Sequence, residues 1–485
     1  MNPIKHLAVI LAGLMLLPLL AACGSSGEGG AGGTTAAGNA VTEPAEETTT
    51  AEQYHAPEKK DFDGYAFRFN LNVQSNYAFF APEEMNGDLM NDAFYERNRT
   101  VEENYNVSIS QSLDSSNYTN IQKYVQAGDD FCDIFLTGYR YIFPDAQQGY
   151  LHDWYQFDEI DLDMPWWDER IVEQLSINDK LYMINGDVSV NDDLSMLVLK
   201  YNKTVYADGG FEDPYDLVNS GKWTFDTFWK MVTATSRDLN GDGVMNQNDL
   251  WGLIGEYSAL YYFYTGAGYP SIKKVGGEYK LTIGEEKTVN IIEKILVLGT
   301  EKKTHSLICD DGNLSGSYDT GKAMFNNNQG LFGAGTLSGM TQMRDVESDF
   351  GALPIPKYNE AQDGYYNLVS WNDQPCAMPI TVSDGHRTAL ILEALAYESF
   401  NSVTDLFFNV FLDEKAMRDE ESKQMLDIIF DSKTYDLDWY ATISGLSNLL
   451  AKIGQTGTNT FVSDYAAIET SANAKLQEFV DSFAK

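Results

Sequence analysis

Positive charge is what this chain has least of. Its 485 residues carry 33 Lys and Arg against 72 Asp and Glu, with only five His. So acidic a surface repels phosphate backbones and anionic headgroups, which excludes nucleic acid as a partner and electrostatic docking on a membrane. Cysteine is scarce too. There are four, with no Cys-x-x-Cys and no Cys/His ligand spacing, so neither a disulfide framework nor a zinc site is expected. Cys132 falls in an apolar stretch and reads as a small buried hydrophobe, whereas a Cys309–Cys376 disulfide is possible but unsupported. Catalytic signatures are missing: there is no Gly-x-Ser-x-Gly and no His-Glu-x-x-His, and the many carboxylates single out no glycosidase pair. Gly316 to Ala323 nearly spells a phosphate-binding loop, but Ala323 stands where a Ser or Thr would hold Mg²⁺. It reads as a helix start, and no nucleotide site is expected.

Long apolar runs are confined to the N-terminus. Lys5 and His6 precede Leu7–Leu20, an almost wholly aliphatic stretch interrupted by Pro18 and closed by Ala21-Ala22-Cys23. Fourteen residues at ~1.5 Å each span about 21 Å, short of a hydrocarbon core of about 30 Å. The layout is that of a cleaved secretory signal, residues 1–22. Leu20-Ala21-Ala22-Cys23 resembles the lipobox of bacterial lipoproteins, in which the cysteine is acylated and becomes the mature N-terminus. That resemblance implies an anchor through Cys23 on the outer face of a cell membrane, in a Gram-positive-like bacterium. Residues 23–57 are rich in Gly, Ala, Thr and Glu and hold no Lys or Arg, too little apolar area to fold. They read as a flexible tether.

The remaining chain is longer than one hydrophobic core usually holds, so two lobes are expected. Tyr65–Leu71 alternates as a half-buried strand, Asn91 opens a helical pattern through Phe94, Val101 and Tyr105, and Val107–Ile109 reads as a strand. A helix around Ile121–Val125 stops near Gly128, and Phe131–Leu136 is a compact buried strand. This alternation predicts an α/β lobe with a largely parallel sheet, and ligand crevices in such sheets lie beyond the carboxyl ends of the strands. The loops after the first and third strands then border the cleft, bringing in Asn76 and Tyr77 from one and Arg140 from the other. A second set of elements begins near Leu194 and includes a helix capped by Thr224, with Trp223 as a packing anchor. The C-terminal helix carries Ile468, Ala472, Leu476, Phe479 and Phe483 at helical spacing.

Two constellations carry chemistry. Asp238, Asn240, Asp242, Val244, Asn246 and Asp249 occupy positions 1, 3, 5, 7, 9 and 12 of a calcium loop, with Gly243 at the turn position. Oxygen ligands at this spacing predict a structural Ca²⁺ site, with Asp249 a shorter-reaching twelfth ligand than Glu. Aromatic side chains cluster at Trp166 and Trp167, at Tyr261 and Tyr262, and at Trp371 beside Asp373. Flat rings next to amides and carboxylates suit sugars, whose C–H faces stack while hydroxyls form hydrogen bonds.

In order along the chain come Tyr201–Lys203 (YNK), Gly221–Lys230 (GKWTFDTFWK), the calcium loop, Gly321–Phe325 (GKAMF) and Gly351–Asn359 (GALPIPKYN). Behind a lipobox and tether, this series resembles the extracellular solute-binding proteins of family 1, the sugar-binding components of bacterial ABC importers. The resemblance implies a two-lobe α/β fold of the periplasmic-binding-protein type II, its lobes joined by a hinge and closing on ligand. It places the first part of lobe 1 at 58–190, that of lobe 2 at 191–368, the hinge and return to lobe 1 at 369–430, and a C-terminal helical segment packing on lobe 2 at 431–485. Crossings are implied near 188–198 and 366–380, with Trp371 at hinge and cleft. The function implied is capture of a carbohydrate, an oligosaccharide above all, by a monomer that passes it to permease subunits without chemistry of its own. A peptide or another organic solute is the nearest alternative ligand, and a secreted carbohydrate-active enzyme or a surface adhesin the alternative class. If Asp238–Asp249 holds structural calcium, EDTA will lower the melting temperature; an unchanged thermal unfolding curve would remove the site.

Overall fold

Alternation of apolar and polar side chains sets the first sheet. In the computed structural model, which describes residues 54–72, 80–308, 317–343, 346, 348–412 and 419–484, Tyr65–Leu71 is strand β1 with Phe67 and Phe69 wholly buried. The signal segment, Cys23, nearly all of the tether, Asn76, Tyr77 and Cys309 lie outside the described residues. β1 pairs in parallel with β2 (Val107–Leu113) on one side and β3 (Ile134–Leu136) on the other. The helix joining β1 to β2, Leu89–Tyr105, starts one turn earlier than the pattern predicts. Asp88 is its cap, its carboxylate accepting from the amides of Met90 and Asn91, so Asn91 sits inside the first turn. The helix Asn117–Ala127 stops, as expected, at Gly128, whose φ of 73° suits the left-handed C-cap. Cys132 is buried beside β3.

The second sheet is mixed. β4 (Leu197–Asn202) is buried along its length, and β5 (Trp251–Gly255) follows the helix Phe225–Thr235 and the Asp238–Asp249 loop. A hairpin, β6 (Ile272–Val275) with β7 (Glu278–Leu281), stands apart from it. β8 (Ser306–Ile308), β9 (Gly330–Thr336) and β10 (Phe350–Leu353) complete the order β10-β4-β9-β5-β8, with β4 antiparallel to both neighbours and β5 parallel to both of its own. Thr224 caps the helix Phe225–Thr235 as expected. Trp223 is fully buried with its indole N–H on the carbonyl of Pro354 at 2.8 Å, a packing anchor. The near phosphate-loop sequence is a helix start, Ser317–Asn326.

Three segments join the lobes. The first and second meet at an antiparallel bridge between Met196 and Val369, extended by Ser370 N donating to Ser195 O at 2.8 Å. The third was not foreseen: β11 (Asn367–Leu368) runs parallel to β13 (Lys433–Thr434), with Asn367 N on Ser432 O at 2.8 Å. Between them β12 (Cys376–Ala377) returns antiparallel to β3, and the helix Gly385–Leu406 packs on Leu89–Tyr105 in the first lobe. The helix Glu420–Asp431 already packs on β10, so the chain is back on the second lobe before residue 431. Cys376 is a buried free thiol.

The last helix, Phe461–Ser482, straps both lobes. Near its start Tyr465 lies against Gly284 of the second lobe; near its end Phe479 meets Phe143, and Phe483 meets Tyr182, on the first.

Three buried carboxyls, Asp145, Glu393 and Asp436, are pushed up to about 7, burial being the main cause in each. They keep protons that the unfolded chain releases near pH ~4, so between those values the folded state binds more protons and stability falls as pH rises. Asp168 goes the other way: burial pushes it up, but the charges of Lys433 and Arg170 with the Arg170 amide and Tyr435 hydroxyl together lower it, so its contribution is lost only in stronger acid. The melting temperature is therefore expected to be higher near pH ~5 than near pH ~8, as differential scanning calorimetry can check.

Candidate ligand-binding cleft

Parallel strands open their carboxyl ends toward the space between the lobes. On the first lobe β3 runs out through Thr137 and Gly138 into the helix Tyr139–Gln147, with Gly138 as N-cap. A Cβ on Gly138 would lie 3.1 Å from the carbonyl oxygen of Trp371, so the missing side chain lets the hinge segment settle on the strand end. Gln374 secures it, its Oε1 accepting from Asn72 N at 3.2 Å. On the second lobe β5 leads to the helix Ala259–Gly266, which carries Tyr261 and Tyr262.

Between these walls stands a short helix, Leu437–Ala441, with Trp439 at its centre. Trp439 meets Tyr261 at a tilt with centroids 4.4 Å apart, takes Tyr262 edge-on at 6.3 Å, and stacks on Trp371 at 5.4 Å. The Arg140 guanidinium lies 4.1 Å over Trp371 and 5.7 Å from Tyr141, which in turn stacks on Tyr118 at 4.2 Å. A stripe of rings, interrupted by one cation, thus runs from lobe to lobe. Trp371, 39% exposed, is its most accessible tryptophan.

Beneath the stripe lies a polar layer. Tyr139 donates from its hydroxyl to Asp373, and Asn185 Nδ2 donates to Asp373 Oδ2 at 2.7 Å and to the Tyr139 hydroxyl at 2.9 Å. Tyr440 stacks on Tyr139 at 4.0 Å and donates to the Val369 carbonyl at 2.7 Å. Burial raises Asp373 above the ordinary carboxylate range, with the Tyr139 and Asn185 donors opposing it. Four buried polar atoms in and beneath the stripe have no hydrogen-bond partner among the described residues: Asn72 Oδ1, Thr137 Oγ1, Asp373 Oδ1 and Trp439 Nε1. Buried polar groups are ordinarily paired, so a group of orphans at one site marks where something else binds.

The structure brings Trp371, Arg140, Tyr261 and Tyr262 together and sets Asp373 behind them. Tyr261 contributes a ring but no free polar group, because it is 1% exposed and its hydroxyl donates to Asp436 at 3.1 Å. Trp166 and Trp167 need correcting as ligand platforms. Both are buried, and their indoles donate to the two oxygens of Glu393 at 2.9 and 2.7 Å, which fixes a loop of the first lobe. Sequence reasoning missed Trp439, Tyr118, Tyr141 and Asn185. Trp439 carried a usable signal, an aromatic directly after Asp438, much as Trp371 stands two residues before Asp373.

The calcium-loop residues are joined by short-range hydrogen bonds within the loop. Asp238 Oδ2 accepts from Gly243 N at 2.7 Å, Asn240 Oδ1 from Asp242 N at 2.9 Å, and Asp242 Oδ1 from Val244 N at 2.8 Å. Asp249, wholly buried, accepts from the amides of Leu239 and Asn246 at 3.0 and 2.7 Å. Among the described residues no three His, Cys, Asp or Glu side chains converge as a metal site. This loop differs in drawing on two amides and a main-chain carbonyl, a donor set of oxygens that fits Ca²⁺.

No protein-family model matches the chain, and no curated protein matches it in sequence. Solved structures do match in fold. An ABC substrate-binding protein from Listeria monocytogenes, solved with cycloalternan, aligns over 88% of this chain and 100% of its own at 14% identity, TM-score 0.54. A cyclo/maltodextrin-binding protein complexed with maltotetraose aligns over 85% and 96% at 10% identity, TM-score 0.58. The maltose/maltodextrin-binding domain from Bdellovibrio bacteriovorus, bound to maltotriose, aligns over 86% and 99% at 14% identity, TM-score 0.52. The fold is thus the expected two-lobe, periplasmic-binding-protein-like one.

Tyr139→Phe removes one donor from the buried Asp373 and keeps the stack on Tyr440. It should cost about 1–3 kcal/mol in urea unfolding, and a variant as stable as the parent would detach the polar layer from the hinge.

Proposed function

We propose that the cleft captures a carbohydrate, an oligosaccharide by the length of the stripe, and that the lobes close on it for delivery to the permease of an ABC importer. One observation carries this reading: rings from both lobes and the hinge form one stripe, with buried polar atoms in and beneath it that have no partner among the described residues. Sugar C–H faces stack on such rings, and their hydroxyls can satisfy such atoms. The fold neighbours solved with cycloalternan, maltotetraose and maltotriose support the class of ligand. Capture and release need no reaction at the site. Acylation at Cys23 would keep the protein at the outer face of the membrane, within its tether's reach of the permease. In the Asp238–Asp249 loop a calcium ion would be held by those six residues, bracing the helix Phe225–Thr235 against β5.

A thermal-shift screen of the mature protein against a broad panel of oligosaccharides tests the reading. One class of glycan should raise the melting temperature with no product formed, and Trp371→Ala should weaken its binding about tenfold, equivalent to ~1.4 kcal/mol. A panel in which no glycan shifts the transition would refute carbohydrate capture.

A further inference from the structure

A cavity of about 440 Å³ is walled by both lobes and by the hinge segment that leads to Trp439. That volume falls within the roughly 300–1,000 Å³ of small-molecule sites. Three parts of the molecule wall it: Glu173, Gln174 and Asp179 from the first lobe, Ile272, Tyr279 and Tyr366 from the second, and Leu437 from the hinge helix. Residues two apart on a helix point about 200° away from each other. Leu437 lines this cavity while Trp439 stands in the stripe, so the helix Leu437–Ala441 is the partition between the two spaces.

The lining chemistry selects among ligands. Tyrosine hydroxyls are engaged, Tyr279 with the Ser176 carbonyl at 3.2 Å and Tyr366 with Asp363 at 3.2 Å, which leaves their ring surfaces to the cavity. Glu173 and Asp179 are exposed carboxylates with no ion pair among the described residues. Gln174 accepts from the Tyr435 amide at 2.6 Å, which leaves its own amide nitrogen to donate. Lys274 lies 5.5 Å over Tyr279, and Lys273 lies 3.3 Å over Tyr269 at the same wall. Lys274 offsets one of these two carboxylates, and Asp436, the third carboxyl on the lining, is pushed up to about 7 by burial. An anionic ligand is repelled by such a wall, whereas a neutral one with many hydroxyls finds acceptors, donors and flat rings.

We propose that this cavity is a second binding site, for a neutral polyhydroxylated molecule of one or two sugar rings, and that its occupant raises the affinity of the cleft. An object lodged behind a pivot and touching both lobes holds their rear surfaces apart and tips their front surfaces together. The second site stands on its own lining; the coupling rests on the cleft reading above.

Native mass spectrometry with maltose, trehalose and cellobiose as probes, on the mature protein, tests both halves. The parent should bind two molecules per chain. Ile272→Trp, which fills the cavity, should bind one, with its affinity for the cleft raised about fivefold. Glu173→Gln with Asp179→Asn should weaken the second binding event at least fivefold and leaves the apolar packing alone, should the tryptophan disturb folding. One bound molecule in the parent, lost in Trp371→Ala but kept in Ile272→Trp and in the double variant, would overturn the second site and leave the cleft reading standing. Two bound molecules with cleft affinity unmoved by Ile272→Trp would overturn the coupling. No bound probe in the parent would overturn the second site.

Discussion

The segments that cross between the lobes are tied together by a buried ammonium group. Lys433 Nζ lies 2.7 Å from Asp192, 2.6 Å from Asp193 and 3.2 Å from Asp168, and all four side chains are largely hidden from water. The lysine sits on one crossing segment and two of its partners on another, while Asp168 also accepts from the Tyr435 hydroxyl at 2.9 Å. Stranding one member of such a cluster costs about 3–5 kcal/mol, far more than a surface pair contributes. Carboxylates outnumber the cation, and burial raises Asp192 well above its usual range in spite of the lysine. The hinge is therefore a specified joint, with its strands aligned by charge as well as by backbone pairing.

What could be read in advance follows from how local the causes are. β1, the Gly128 stop and the Thr224 cap each depend on residues within a few positions of one another, and all were legible. Whether an aromatic ring faces solvent or Glu393 is decided 227 residues away, so the burial of Trp166 could not be seen. Asp88 displaced Asn91 as a cap because either residue type can serve and only the backbone geometry chooses. The third crossing at Lys433–Thr434 escaped because two-residue strands carry no period.

Trp371 is packed by Trp439 at 5.4 Å and approached by the Arg140 guanidinium at 4.1 Å, yet stays 39% exposed. A cation over an exposed ring is worth only about 0.5–1 kcal/mol, so displacing the guanidinium from that ring would cost little.

The helix Phe461–Ser482 gives the hinge a mechanical limit. Its 22 residues form a rod of about 33 Å, held near its start by Tyr465 against Gly284 of the second lobe and at its end by Phe479 on Phe143 and Phe483 on Tyr182 of the first. A rod so pinned cannot lengthen, so it sets a stop to how far the jaws gape.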